Sequence, residues 1–82
     1  MPEVLLVEDQ DNVRRVISTL LRRNGYSVSE ASEGSEAIAK LKRRKFDLVI
    51  TDLRMEPVDG MEVLRRTKEI SPETEVIVVT AF

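Results

Sequence analysis

Four short apolar runs alternate with amphipathic stretches from one end of this chain to the other, and that alternation restricts its fold more than any other feature. The first run is Val4-Leu5-Leu6-Val7, inside a strand expected over Glu3 to Val7. It is bounded by Pro2 and by Glu8-Asp9, and it is apolar throughout, as a strand buried on both faces must be. Val13, Val16, Ile17, Leu20 and Leu21 follow at helical spacing and form one stripe expected to face the core. Asp11 or Asn12 is expected to cap that helix; Arg22 and Arg23 suit its last turn, and Asn24-Gly25 ends it.

Tyr26 to Ala31 reads as the second strand, Ser32 to Gly34 as a turn, and Ser35 to Arg44 as the second helix, with Ala37, Ile38 and Leu41 inward. Phe46 to Thr51 reads as the third strand. A loop from Asp52 to Asp59 carries Pro57, and a third helix runs from Gly60 to Ile70, with Asp59 as its cap. Glu75 to Thr80 holds Val76-Ile77-Val78-Val79, the fourth strand. The order β-α-β-α-β-α-β with short connections predicts an α/β domain with a parallel sheet covered by helices. Ligands of such sheets bind at the carboxyl ends of the strands.

Composition narrows the chemistry available there. The 82 residues, one domain at most, include no cysteine and no histidine, which removes thiolate chemistry and the commonest metal ligand and general base. The net charge of −2 gives no argument for nucleic acid. Lys40-Leu41-Lys42-Arg43-Arg44-Lys45 is a basic run that a solvated helix end explains as well as a nucleic-acid patch would. The amino-terminal residues lack the pattern of a signal peptide, and no stretch is long enough for a membrane span, so the expectation is a cytoplasmic protein with no membrane partner.

The first strand ends at Glu8-Asp9, the third at Asp52 and the fourth at Thr80. If strands one and three are neighbours, three carboxylates converge, and a small hard cation resolves their repulsion; Mg²⁺ fits best. Each piece alone has a plainer reading. Acids after a strand serve as helix caps, and Asp52 alone would be a loop former. The acidic loop Glu8-Asp9-Gln10-Asp11-Asn12 also argues against a nucleotide phosphate bound at the first helix.

Glu8-Asp9, Asp52 and Thr80-Ala81, together with Met55 and Gly60 spaced behind Asp52, resemble the receiver domain of two-component response regulators. The resemblance runs from Val4 to Phe82. It implies a flavodoxin-like doubly wound sheet whose strands lie in the order 2-1-3-4. It makes Asp52 the phosphoacceptor for a phosphoryl group from a sensor histidine kinase. Asp9, Asp52 and the backbone carbonyl of Arg54 would hold Mg²⁺, with Glu8 acting through water. Thr80 would offer its hydroxyl to the phosphoryl group, and Ala81 would leave room for it. The exposed face of the first helix, with Arg14, Arg15 and Ser18, would contribute kinase contacts.

Two departures accompany the match. Glu56 stands where the family usually has proline, with Pro57 one place later. The family's fifth strand, its lysine and its last two helices have no counterpart among residues 1–82, so the segment reads as a partial receiver domain. With the fourth strand as an edge, a homodimer by edge pairing or element exchange is expected. The leading reading is a phosphoacceptor module that catalyses at most its own phosphorylation and dephosphorylation. The alternative is a receiver fragment that self-associates without signalling. A magnesium-dependent phosphohydrolase is disfavoured, since such enzymes usually carry a second acid two places after the nucleophile, where this chain has Arg54.

Overall fold

The computed structural model describes residues 1–80. Its elements follow the expected order: β1 (Glu3–Val7), α1 (Asp11–Arg23), β2 (Ser27–Ala31), α2 (Gly34–Arg43), β3 (Leu48–Asp52), α3 (Gly60–Ile70) and β4 (Glu75–Val79). The strands form one parallel sheet in the order β2-β1-β3-β4, so β1 and β3 are its two interior strands. Both faces of β1 are covered, which is why Val4, Leu5, Leu6 and Val7 are all fully buried.

The two faces are dressed unequally. Leu5 and Val7 of β1 and Val49 of β3 join Ala37 and Leu41 of α2 and Val63 of α3 in a closed core, sealed by Phe46 and Met55. The opposite face is covered by α1, and only over β1 and β2. The α1 stripe, expected as core, is therefore buried in part: Val16 is 59% and Leu20 53% exposed. Ile77 and Val79, in register with Ile50 and Asp52 of β3, are 49% and 45% exposed at the sheet margin.

Several boundaries differ from expectation for local reasons. The N-cap of α1 is Gln10, without a side-chain cap, and Asp11 already lies in the first turn. Gly25, just past the end of α1, takes a φ of 89°, a conformation that favours glycine. The strand β3 starts at Leu48 because Phe46 and Asp47 close the lower edge of the sheet. There the Asp47 N–H donates to the Glu3 carbonyl and the Glu75 N–H to the Asp47 carbonyl. Asp59 caps α3 as expected, its side chain accepting from the Glu62 N–H at 2.9 Å. Among the described residues, no helix is long and apolar enough to cross a membrane.

Candidate functional site

Register places the acids. Val7 of β1 pairs with Thr51 of β3, so the chain leaves the two interior strands at the same level, through Glu8-Asp9 on one side and Asp52 on the other. Ligand oxygens of Glu8, Asp9 and Asp52 lie within 4.8 Å of one another. Glu8 is buried, Asp52 half-buried and Asp9 exposed, so the group opens to solvent through Asp9. Beside it is a shallow depression lined by Asp9, Leu53, Arg54, Met55, Glu56 and Asp59.

The backbone orients these side chains. One oxygen of Glu8 accepts the Gln10 N–H at 3.1 Å, and Oδ1 of Asp52 accepts the Arg54 N–H at 3.2 Å. The loop after β3 is pulled back under the sheet by the Gly60 N–H, which donates to the Leu53 carbonyl at 3.0 Å. Burial pushes the Glu8 carboxyl above its ordinary range. The Gln10 N–H opposes that shift, while the hydrogen bond shared with Asp9 and the charges of Asp52 and Asp9 add to it. Crowded carboxylates of this kind are poised for a cation that would relieve all of them together.

Thr80 follows directly on Val79, the residue paired with Asp52, and is exposed. It therefore leaves the sheet one strand away from the acids, on the same edge. Arg54 lines the depression. Ala81 lies outside the described residues. Two expected partner contacts on α1 have other duties. Ser18 is buried, its hydroxyl donating to the Arg15 carbonyl, and Arg14 is tied down by three acceptors. Arg15 alone of the three stands exposed without such ties.

The comparisons with known proteins agree with this geometry. A family described as the response regulator receiver domain matches residues 4–82. This chain belongs to the response-regulator receiver family. The receiver is 35% identical over 82 residues to the response regulator receiver protein CpdR of Brucella abortus, spanning 100% of this chain and 68% of that protein. It is 40% identical over 78 residues to the transcriptional regulatory protein GlrR of Escherichia coli, covering 95% of this chain and 18% of that one. Its fold superposes on the response regulator TrrA of Thermotoga maritima, solved with Mg²⁺ and BeF, with a TM-score of 0.94 and 32% identity over 100% of this chain and 71% of that one. The flavodoxin-like arrangement and the order 2-1-3-4 are thereby established for the receiver.

The sequence named every acid of the cluster. It missed Arg14 as a structural tie, although its place three residues after Asp11, on the turn of α1 nearest the acidic loop, was a visible signal.

Proposed function

We propose that this receiver accepts a phosphoryl group on Asp52 from a phosphohistidine of a sensor histidine kinase, with Mg²⁺ as the resident cation. The observation that carries the reading is the convergence of Glu8, Asp9 and Asp52 from two neighbouring strands. The donor set fits the ion: all oxygen, partly open to water, and three carboxylates with oxygens within 4.8 Å of one another. Asp9, Asp52 and the Arg54 carbonyl would hold the metal, and Glu8 would reach it through water. When bound, the cation supplies neutralisation of the charge on the transferring phosphoryl oxygens.

The chain's own groups do the rest. A carboxylate oxygen of Asp52 is the nucleophile; it forms the new bond to phosphorus as the bond from phosphorus to the imidazole nitrogen breaks. The Arg54 N–H holds the other end of the reaction site by fixing one Asp52 oxygen. The Thr80 hydroxyl, just after the end of the adjoining strand, would donate to the phosphoryl group once it sits on Asp52. On this reading the receiver catalyses at most its own phosphorylation and dephosphorylation. The names of several relatives, transcriptional regulatory proteins, support a parent protein that regulates transcription.

The test is intact mass after incubation with acetyl phosphate and Mg²⁺. One phosphoryl adduct that disappears in Asp52→Asn supports the reading; a folded protein that never gains the adduct overturns it.

A second reading is favoured by the exposed Ile77 and Val79. With β4 at the margin of the described sheet, two copies would pair along that edge.

A further inference from the structure

Arg14 reaches across the loop that carries the acids. Its Nη1 donates to the Glu8 backbone carbonyl at 2.8 Å, its Nη2 meets Asp11 Oδ1 at 2.6 Å, and its Nε lies 3.3 Å from Glu30 Oε1. These acceptors belong to the end of β1, the first turn of α1 and β2. Only 17% of the Arg14 side chain is exposed. Glu30 is itself held, by Arg22 at its carboxylate and by the Lys40 ammonium at its carbonyl.

We propose that Arg14 is the positioning residue of the metal site, a brace that fixes the peptide between Glu8 and Asp9 and thereby aims the Asp9 carboxylate. The proposal rests on the reading of the acid cluster as a Mg²⁺ site. On the other side of Glu8, the strand ladder ends with the Glu8 N–H donating to the Ala31 carbonyl. Beyond that bond the Arg14 guanidinium is what holds the Glu8 carbonyl. Without it, the peptide plane that follows is free to turn, and Asp9 turns with it. Mg²⁺ demands near-ideal octahedral geometry, so a mis-aimed carboxylate costs it more than it would a larger ion.

The charge of Arg14 is not the working element. Two guanidiniums, Arg14 and Arg22, face two carboxylates, Asp11 and Glu30, so the Arg14 charge is already balanced locally and is no dedicated counter-ion for the acid cluster. What matters is the planar fork, whose donors point in fixed directions to three separate acceptors. A lysine, with a single ammonium, cannot reproduce that pattern.

The experiment is a Mg²⁺ titration of the ¹⁵N-labelled protein, following the amides of residues 8–10 and 52–54, for wild type, Arg14→Gln, Arg14→Lys, Glu30→Gln and the exposed control Arg23→Gln. The expected result is a Mg²⁺ affinity about 10- to 100-fold weaker in both Arg14 variants, the range for groups that orient metal ligands. A smaller loss is expected in Glu30→Gln and none in Arg23→Gln. Metal-free spectra should show the residue 8–10 amides shifted and exchanging faster in the Arg14 variants, while circular dichroism shows the fold retained. Unchanged or tighter binding in Arg14→Gln, or full retention of affinity by Arg14→Lys, overturns the brace. A wild type that binds no Mg²⁺ at all overturns instead the metal reading beneath it.

Discussion

Gly60 and Asp52 meet backbone to backbone: a Cβ at Gly60 would collide with the Asp52 carbonyl oxygen and come within 2.8 Å of the Leu53 Cα. The start of α3 is thus pressed against the very residue proposed as the phosphoacceptor. Neither obstacle is a flexible side chain, so the backbone itself would have to move. Gly60→Ala is expected to cost about 1–3 kcal/mol by overpacking, read by urea denaturation. It should also weaken Mg²⁺ binding, because the segment that moves is Asp52-Leu53.

The acid cluster is expected to work against the metal-free fold. Replacing one of three crowded charges relieves the others, so Asp52→Asn should raise metal-free stability by about 1 kcal/mol. Mg²⁺ should reverse the order. At a concentration 100-fold above its dissociation constant, a ligand that binds only the native state adds about 2.7 kcal/mol, and Asp52→Asn should forgo most of that gain. Thermal melts with and without Mg²⁺ check both halves.

Glu36 gives a pH signature remote from the site. The Ser32 N–H, donating to Glu36 Oε1 at 2.8 Å, leads the causes that hold this carboxyl below its ordinary range, with the Ser32 hydroxyl and Lys40 assisting. A lowered pKa in the folded state means stability that is present above the unfolded value, near 4.3, and lost as pH falls through the folded value. The side chain is 42% exposed, so screening keeps the effect small, about 0.5 kcal/mol. The stability difference between wild type and Glu36→Gln should therefore be full at pH 7 and fade below about pH 4.

A buried hydroxyl chain holds the lower edge of the sheet. Thr74 Oγ1 donates to the Phe46 carbonyl at 2.7 Å and shares a hydrogen bond with Ser71 Oγ, also at 2.7 Å. Thr74→Val keeps the shape but leaves the Phe46 carbonyl and the Ser71 hydroxyl without that partner. The expected loss is about 1–3 kcal/mol in denaturant titrations.

Pairing of two copies along β4 would need the apolar margin intact. Val79→Lys, a charge on the open edge, should lower the apparent mass in light scattering at high concentration. A wild type that is already monodisperse and monomeric there would dispose of edge pairing.

Much of this was legible in the residues. Period and length identify all seven elements, and the acids after β1 and β3 name the site because a parallel sheet gathers its strand ends on one edge. What stayed hidden depended on neighbours distant in sequence. The α1 stripe has the right period for core, yet Val16 and Leu20 remain half-exposed because α1 covers only β1 and β2. Ser18 looked like surface and is buried, since a small hydroxyl that bonds its own helix can be packed without penalty. Arg14 looked like a solvent-facing cation, and only the fold brings Glu30 within its reach.

The placement of β1 and β3 in the middle of the sheet also decides when the acids come apart. Amides of β1 and β3, bonded on both sides, should exchange their hydrogens only through global opening, whereas β4 and the outer turn of α1 fray independently. Asp9 and Asp52 would then be tethered to the slowest-exchanging part of the described sheet. Partial melting from the margin would strip away Thr80 long before it separated the carboxylates. On the proposed reading, opening from that margin would leave the cation ligands together and remove first the hydroxyl assigned to the phosphoryl group.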